Sequence, residues 1–128
     1  MSFFSDKIVW ITGASSGLGE ALAKELAAEK AKLVLSARRI SELERVKNDC
    51  RKYISAENIL LLPLDVSELS SADAETKKVV QKFGRIDILI NNAGIAQRSF
   101  AGDTPIDVER KIMEVNYFGT IILSKSVL

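Results

Sequence analysis

Short apolar runs recur along the first ninety residues, separated by longer stretches that mix apolar and charged side chains. The runs occupy residues 7–12, 32–36, 58–65 and 86–91, and their apolar positions are mostly consecutive rather than alternating. Consecutive apolar positions are typical of strands that are buried on both faces of a parallel sheet. The pattern therefore predicts four parallel strands.

The stretches between these runs show helical spacing of apolar residues. Residues 17–29 place apolar side chains three or four positions apart, which predicts an amphipathic helix. Ser41 precedes Glu44 by three positions, and this capping-box spacing predicts a second helix that reaches about residue 53. Ser67 is expected to cap a third, more polar helix that ends near residue 83.

The last quarter of the chain predicts helix almost throughout. A helical region is expected to begin at Asp103 or Thr104, where Pro105 suits a first turn. From about Val108 the pattern predicts a long helix, continuous or broken into two, that runs to the end of the chain.

Strand and helix therefore alternate, which predicts an α/β fold. Right-handed crossovers between parallel strands place the helices on both faces of the sheet. We expect a Rossmann-like, doubly wound parallel sheet with its strands in the order 3-2-1-4, where the full fold has about six strands. Neither a linker nor a repeat interrupts the pattern, so residues 1–128 are interpreted as one domain.

Composition narrows the class of protein. Hydrophobic residues make up 47% and charged residues 27% of the chain, which is ordinary for a soluble globular protein. Lysine and arginine number 18 against 17 acidic residues, and a net charge of +1 does not favour a nucleic-acid partner. The sequence has no histidine and a single cysteine, Cys50, so we expect neither a metal site nor an internal disulfide. No apolar run approaches the roughly 18 residues that a membrane span needs.

The segment TGASSGLG joins the first strand to the first helix. Its glycines, Gly13, Gly17 and Gly19, have the spacing G-x-x-x-G-x-G. At this point of an α/β fold a pyrophosphate rests on main-chain N–H groups at a helix N-terminus. Gly13 permits the turn, Gly17 lets the backbone approach phosphate, and Gly19 lets the helix pack closely. Ser15 and Ser16 add small hydroxyl donors. The alternative is a tight strand–helix turn without a ligand.

The end of the second strand indicates which dinucleotide the loop would hold. NAD binders place a carboxylate there to bind the ribose 2′-hydroxyl. Between Lys30 and Ile40 this sequence has no carboxylate, and Arg38 and Arg39 stand there instead. A guanidinium is the natural partner of a 2′-phosphate, so the sequence predicts NADP(H) rather than NAD(H). The alternative is that both arginines are simply solvated.

Two more strand ends fit a nucleotide site. The third predicted strand ends in LDV, where Asp65 is placed to accept a hydrogen bond from an adenine amino group. The fourth ends in NNAG, where Ala93 and Gly94 are small enough for a flat ligand to lie against the backbone. Ligands bind at the carboxyl ends of strands in open α/β sheets, so all these segments are expected to meet at one edge.

Taken together, the motifs resemble a known family. TGASSGLG, LDV, NNAG and the asparagine of MEVNYFGT, Asn116, are similar in order and spacing to those of the classical short-chain dehydrogenase/reductases. The runs LVLSARRISELERVK and FGRIDILINNAG most resemble the member 7 branch of that family. The resemblance spans essentially the whole chain. It implies an NAD(P)-dependent oxidoreductase acting on an alcohol or carbonyl, and the branch implies a lipophilic substrate such as a retinoid or steroid.

The resemblance also assigns roles to individual residues. It implies that the phosphates are cradled by Gly13, Ser15, Ser16, Gly17, Leu18 and Gly19, and that the 2′-phosphate is bound by Arg38 and Arg39. It assigns the adenine to Asp65 and Val66, and the wall beside the ribose and nicotinamide to Asn92, Ala93, Gly94 and Ile95. It also makes Asn116 one member of a catalytic tetrad, in which it positions a helix and a proton-relay water. For Asn116 the alternative is a polar residue at a helix irregularity.

The sequence departs from the family in its proton-transfer residues. The family uses a tyrosine followed by a lysine four positions later, and a serine that polarises the carbonyl. Here Tyr53 is followed at that distance by Glu57, and Tyr117 by Ile121. Hydride transfer needs an acid or base to complete it. The 128 residues alone are therefore expected to be inactive, as a dinucleotide-binding domain that is incomplete at its C-terminus.

Two hypotheses follow. In the first, the chain is the NADP(H)-binding part of a longer oxidoreductase that takes a small-molecule substrate and forms a homo-oligomer when complete. In the second, it is a short, non-catalytic nucleotide-binding or interaction fragment. The opening segment MSFFSDK lacks the long apolar region of a secretory signal, which predicts a cytoplasmic protein. The alternative location is the surface of the endoplasmic reticulum, if an anchor precedes these residues.

Overall fold

The computed structural model describes residues 2–128, which contain one four-stranded parallel sheet. The strands are β1 (Ile8–Thr12), β2 (Lys32–Ser36), β3 (Ile59–Leu61) and β4 (Ile88–Ile90). Their order is β3-β2-β1-β4 and every pairing is parallel. The predicted strand order 3-2-1-4 is confirmed.

The register aligns the strand ends that matter for a ligand. Thr12 at the end of β1 pairs with Ser36 at the end of β2, and Ile11 pairs with Ile90 of β4. The carboxyl ends of the strands therefore meet at one edge of the sheet. Behind this edge, the side chain of Trp10 is fully buried and its Nε1 donates a 2.8 Å hydrogen bond to Ser36 Oγ.

Two helices cover one face of the sheet. They are α1 (Gly17–Ala28) and α2 (Ile40–Cys50). Val9 and Ile11 of β1 point to this side, and both are fully buried against apolar residues of the helices, among them Ala23, Leu26, Leu43 and Val46. Cys50 is buried in the same layer, where burial raises the pKa of its thiol to about 11.

The opposite face is covered by α3 (Ala72–Phe83) and α5 (Thr120–Val127). Ile8 and Trp10, the alternate residues of β1, are buried on this side, together with Val79 of α3 and Leu123 of α5. The two apolar layers confirm a doubly wound sheet with helices on both faces, and they explain why the strand runs lack polar alternation.

The two outer strands are shorter than predicted. β3 ends at Leu61, although main-chain bonds from Leu62 N to Leu35 O and from Leu64 N to Ala37 O, both 2.9 Å, keep the chain beside β2. Just before β4 begins, the Asp87 carboxylate accepts a hydrogen bond from Ile8 N at 2.8 Å. Leu62 and Leu64 are therefore held beside β2 without belonging to β3, and Asn58, the first residue of the predicted strand, ends a 3₁₀ turn instead.

Both predicted serine caps are wrong. α2 begins at Ile40 without a side-chain cap, because Leu43 N already donates to Arg39 O and closes the first turn upstream of Ser41. α3 begins only at Ala72, because the main chain first turns after β3 and Ser67 gives its hydroxyl to Asp65.

The sequence predicts a last helix that is continuous or broken into two, and the structure shows a continuous helical run with a π-helical segment in its middle. α4 (Ile106–Met113) follows Pro105, which takes the N-cap position, and leads into a π-helical segment (Glu114–Gly119) and then α5. Val115 and Leu123 are buried, whereas Phe118 and Ile122 remain about two-fifths exposed, at 44% and 39%. Within residues 2–128, no helix is both long and apolar enough to cross a bilayer.

Candidate cofactor-binding site

A cleft of about 220 Å³ opens at the carboxyl edge of the sheet. Its walls come from the ends of β1 and β2, the loops after β3 and β4, and the helical region of α4. The lining residues are Thr12, Gly13, Ser15, Ser16, Ser36, Ala37, Arg38, Leu64, Asp65, Val66, Ala93, Gly94, Ile95, Lys111 and Val115. Nine of the fifteen residues assigned from the sequence thus meet at one cleft, and Gly17, Leu18, Gly19, Arg39, Asn92 and Asn116 are not in its lining.

The loop between β1 and α1 has the shape that its glycines suggest. Gly13 adopts φ +63° and Gly17 φ +54°, in the left-handed region that favours glycine. A Cβ at Gly13 would lie 3.0 Å from the main chain of Ala93, so the loop packs directly against the end of β4. A Cβ at Gly17 would meet no atom within 4 Å. The main chain at Gly17 is therefore open to an approaching group.

Gly19 and Leu18 differ sharply in their surroundings. A Cβ at Gly19 would lie 2.1 Å from Gly13 O and 2.6 Å from Asn92 Nδ2, so only glycine allows the helix start to pack this closely. The close packing predicted for Gly19 is confirmed. Leu18 is 68% exposed and points away from the apolar layers. A ligand could therefore contact Leu18 through its main chain or through the exposed part of its side chain.

A residue of α2 holds the glycine loop from outside. Arg45 Nη2 donates to Ser15 O at 2.9 Å and to Glu20 Oε1 at 2.9 Å, and Arg45 Nη1 donates to Glu20 Oε2 at 3.0 Å. The bonds from Arg45 to Glu20, followed by a bond from Lys24, lower the pKa of Glu20 to about 2. Arg45 was missed from the sequence, because a pairing between helices leaves no spacing signal.

The NNAG segment is tied to the end of β1. The Thr12 hydroxyl accepts from Asn92 N and Ala93 N, each at 3.0 Å, and Asn92 Nδ2 donates to Gly13 O at 3.2 Å. Asn92 therefore joins the two loops that flank the cleft instead of lining it. Thr12 and Ser36 are further residues that sequence analysis missed, and both lie at the last position of a strand.

The two arginines after β2 are not equivalent. Arg38 lines the cleft, whereas Arg39 is the N-cap residue of α2 and does not. Both are exposed. No acidic residue lies between Lys30 and Ile40, so no carboxylate of this segment neutralises them. The geometry places one of them, Arg38, where an anionic group in the cleft would meet it.

Asp65 has a defined environment on the segment after β3, which runs beside the segment of Arg38 through the 2.9 Å bond from Leu64 N to Ala37 O. Its Oδ1 accepts from Ser67 N at 2.9 Å and Ser67 Oγ at 2.7 Å, and these bonds lower the pKa of Asp65, with a smaller contribution from the charges of Lys111 and Arg38. Lys111 Nζ donates to Ser67 Oγ at 2.7 Å and itself lines the cleft. Lys111 was missed from the sequence, although it lies within two helical turns of Asn116.

Asn116 lies in the π-helical segment and holds the loop after β4. Asn116 Nδ2 donates to Ile95 O at 2.7 Å, and Ile95 N donates to Asn116 Oδ1 at 2.9 Å. Asn116 is therefore a polar residue at a helix irregularity and also lies beside the cleft, so its position agrees both with a structural role and with a role in the catalytic tetrad. In the same segment, a Cβ at Gly119 would lie 2.7 Å from Val66 O, so the helix packs closely on the loop after β3.

The donor set suits a nucleotide better than a metal ion. Among the described residues no group of three His, Cys, Asp or Glu side chains is arranged to hold a metal. The cleft instead offers glycine main chain, serine hydroxyls, one guanidinium, one ammonium and one carboxylate. A dinucleotide needs these groups at its phosphates, ribose and adenine, so the residues present fit such a cofactor.

Comparison with known proteins gives the class. Residues 7–128 match the family model described as short chain dehydrogenase. The chain belongs to the short-chain dehydrogenase/reductase family. It is 54% identical over 126 residues to human dehydrogenase/reductase SDR family member 7, covering 97% of this chain and 37% of that protein. It is 45% identical to a member 7-like protein of Drosophila melanogaster, covering 95% and 38%. The resemblance to the member 7 branch is confirmed, and the chain spans less than half the length of these relatives.

Solved structures of the family superpose on the same fold. A 3-ketoacyl-(acyl-carrier-protein) reductase from Brucella melitensis, complexed with NADH, is 32% identical with a TM-score of 0.88, covering 98% of this chain and 50% of that one. An alcohol dehydrogenase from Thermococcus sibiricus, complexed with 5-hydroxy-NADP, is 31% identical with a TM-score of 0.88, covering 96% and 52%. Nicotinamide cofactors of both kinds therefore occur among the structural neighbours.

Proposed function

We propose that this chain is the NADP(H)-binding part of an oxidoreductase that transfers a hydride between NADPH and a carbonyl or alcohol. Residues 1–128 would form a single dinucleotide-binding domain. The observation that carries the proposal is the position of Arg38 on the wall of the cleft, in a strand-end segment without a carboxylate. A guanidinium binds a 2′-phosphate, whereas a carboxylate would bind the 2′-hydroxyl of NAD(H).

The assigned residues would divide the cofactor between them. The loop from Gly13 to Gly19 would hold the pyrophosphate, with main-chain N–H groups at the start of α1 as donors. Asp65 and Val66 would bind the adenine, and the segment Asn92–Ala93–Gly94–Ile95 would lie along the ribose and nicotinamide. The bound cofactor supplies or accepts the hydride.

Asn116 would act by positioning. Its side-chain bonds to Ile95 hold the loop beside the nicotinamide end of the cleft. In the family the asparagine at this position belongs to the catalytic tetrad, and we assign the same role here. Neither Tyr53 nor Tyr117 is followed by a lysine four positions later. Proton transfer would therefore need residues outside these 128, and the chain alone is proposed to be inactive.

The substrate class rests on the branch of the family. We propose a small lipophilic carbonyl compound or alcohol, such as a retinoid or a steroid, and a homo-oligomeric assembly for the complete enzyme. A cytoplasmic location is proposed, with the surface of the endoplasmic reticulum as the alternative if an anchor precedes these residues. No nucleic-acid partner is proposed, since the net charge is only +1.

A second function would use the same cleft. The chain would then belong to a non-catalytic nucleotide-binding or interaction fragment. Such a fragment would bind NADP(H) without turning it over. The two functions differ in one fact, which is whether the full reading frame continues to a Tyr-x-x-x-Lys motif.

The test uses the polypeptide translated from the full reading frame that contains these residues, hereafter the encoded polypeptide. Its intact mass is measured after purification from its native source, and its affinities for NADPH and NADH are measured by calorimetry. Oxidation of NADPH is then followed with retinal and with a ketosteroid. We expect tighter binding of NADPH than of NADH, and turnover only if Tyr-x-x-x-Lys is present. Failure to bind either cofactor would refute both functions.

A further inference from the structure

Three side chains form a hydrogen-bonded chain along one wall of the cleft. Lys111 Nζ donates to Ser67 Oγ at 2.7 Å, and Ser67 Oγ donates to Asp65 Oδ1 at 2.7 Å. Ser67 and Lys111 are 44 positions apart in sequence and come from different elements, the loop after β3 and helix α4. Lys111 and Asp65 both line the cleft.

The chain of bonds has one direction. A lysine ammonium can only donate, so the Ser67 oxygen must accept from Lys111 and its single proton is directed to Asp65. Ser67 N also donates to Asp65 Oδ1, at 2.9 Å. Both bonds from Ser67 reach the same carboxylate oxygen, and no donor from residues 2–128 bonds to Asp65 Oδ2. One oxygen of Asp65 is thus held by the protein, and the other keeps its capacity to accept on a residue that lines the cleft.

We propose that Ser67 and Lys111 are positioning residues that fix the Asp65 carboxylate, so that the cleft selects a purine with a 6-amino group over one with a 6-oxo group. This inference rests on the proposed NADP(H) binding and adds the origin of base selectivity. An amino group donates to Asp65 Oδ2. An oxo group presents lone pairs to the same carboxylate and is repelled, because an ionised carboxylate can only accept.

The fixed orientation matters because a free carboxylate would be less selective. An unrestrained Asp65 could rotate away from an oxo-purine and let water occupy the space, which costs little. With Oδ1 bound twice, rotation breaks two hydrogen bonds, one of them to a hydroxyl that is itself polarised by Lys111. Loss of either Ser67 Oγ or Lys111 Nζ should therefore reduce discrimination more than it reduces binding.

The experiment compares NADPH with its hypoxanthine analogue, deamino-NADPH, on the encoded polypeptide. Dissociation constants of both are measured for wild type, Ser67→Ala, Ser67→Thr and Lys111→Met. Wild type should bind NADPH about tenfold more tightly than deamino-NADPH, because the amino group gains one hydrogen bond to Asp65 and avoids the repulsion that an oxo group meets there. Ser67→Ala and Lys111→Met should bring the ratio of the two constants several-fold closer to one. Ser67→Thr keeps the hydroxyl and should restore the preference.

A matched control is available on α3. Lys78→Met removes another lysine that is hydrogen-bonded to a neighbouring side chain, Glu75 Oε1 at 3.0 Å, but does not line the cleft. It should leave the ratio unchanged. A further variant, Asp65→Asn, adds an amide donor and should shift the ratio towards deamino-NADPH, provided that thermal unfolding shows a folded protein.

The outcomes separate this inference from the proposed function. If wild type binds NADPH tightly and the ratio is the same in Ser67→Ala and Lys111→Met, the positioning role is wrong while the cofactor assignment stands. If Lys111→Met weakens both cofactors equally, Lys111 contacts a phosphate and the inference is overturned. If wild type binds NADPH but does not distinguish it from the analogue, Asp65 does not read the base. If wild type binds neither, the proposed function itself is wrong.

Discussion

Arg45 and Glu20 join the second helix to the first by two hydrogen bonds, of 2.9 and 3.0 Å, from different guanidinium nitrogens to different carboxylate oxygens. Paired bonds from one guanidinium to both oxygens of a carboxylate are more directional than a single contact. The same guanidinium reaches Ser15 O, so this ion pair supports the loop that would hold the pyrophosphate. Glu20 also bonds to Lys24 Nζ, at 2.7 Å.

The stability of this pair should depend on pH in a predictable direction. The Arg45 hydrogen bond, followed by that of Lys24, lowers the pKa of Glu20 from 4.5 to about 2 in the folded protein. A carboxylate with a depressed folded-state pKa stabilises the fold above its unfolded pKa, and this contribution is lost as the pH falls through the folded pKa. Glu20→Gln should therefore unfold a few degrees below wild type at neutral pH, and the gap should close between about pH 4.5 and pH 2.

The measurement is thermal unfolding by circular dichroism at a series of pH values. Glu57→Gln is the control, since Glu57 is exposed and makes no ion pair within residues 2–128. This variant removes a carboxylate without an ion pair, so an unfolding change that it shares with Glu20→Gln does not come from the bond between Arg45 and Glu20. A Glu20→Gln offset that is independent of pH would show that the pair does not stabilise the fold in solution.

Cofactor preference should depend on Arg38 more than on Arg39. Only Arg38 lines the cleft, and Arg38→Ala removes a charge-assisted contact to the 2′-phosphate worth about 1.5–3 kcal/mol. The affinity for NADPH should fall by about tenfold to a hundredfold, while the affinity for NADH should hardly change. Arg39→Ala should have little effect on either. Calorimetric titration of both variants decides the matter, and equal losses of NADPH and NADH affinity with Arg38→Ala would contradict it.

Gly17 should be required for binding for reasons beyond its backbone conformation. Gly17→Val puts a branched side chain into the open space where phosphate would approach. Gly84 at the C-terminal end of α3 offers a matched control, because it also has a positive φ, +86°, and open space where a Cβ would stand, yet does not belong to the loop between β1 and α1. Both valine variants should lose comparable stability, on the order of 1 kcal/mol.

Only Gly17→Val should also lose NADPH affinity, by about tenfold or more, since it blocks the phosphate itself. Thermal unfolding and cofactor titration are measured on the same preparations. Similar NADPH affinities in the two variants would mean that the loop does not hold the phosphates.

The 128-residue chain expressed alone should self-associate. β4 lies at one end of the strand order, so one side of this apolar strand has no partner in the described sheet. Such an edge pairs readily with another chain. The surface around Phe118 and Ile122 adds exposed apolar area on the π-helical segment and α5. Sedimentation should therefore find dimers or larger species.

A charge placed on that helical surface tests its share of the association. Phe118→Glu should shift the distribution towards monomer, whereas Val80→Glu, an equally exposed apolar position on α3, should leave it unchanged. A strictly monomeric wild-type chain with a sharp unfolding transition would contradict the prediction.

The sheet could be predicted from the sequence because strands that are buried on both faces need apolar residues at consecutive positions. Strand order and the glycine loop followed from topology rules and from the residue types at Gly13 and Gly17. Helix starts were less predictable. Ser41 and Ser67 are residue types that often cap helices. At Ser41, however, a main-chain hydrogen bond closes the first turn before this residue, and the hydroxyl of Ser67 donates to Asp65 instead of accepting from a helix N–H group.

The side-chain links across the cleft left no sequence signal. Lys111 reaches Ser67, and Arg45 reaches Ser15 and Glu20, over separations of 44, 30 and 25 positions. Pairings at such distances depend on how the elements pack in three dimensions. The glycines and serines of the loop after β1 and the arginine after β2 could therefore be named from the sequence, whereas Arg45 and Lys111, which bond to this wall from distant helices, could not.

The bond between Trp10 and Ser36 gives the molecule an intrinsic optical reporter. Trp10 is the single tryptophan, its indole is shielded from water, and its N–H bonds to a serine that lines the cleft. A ligand that polarises or displaces the Ser36 hydroxyl would alter the emission of the indole without any added label. Reduced nicotinamide also absorbs light in the range where buried tryptophan emits, so energy transfer from Trp10 would report its arrival. Occupancy of the cleft can thus be followed in real time from the fluorescence of one buried ring.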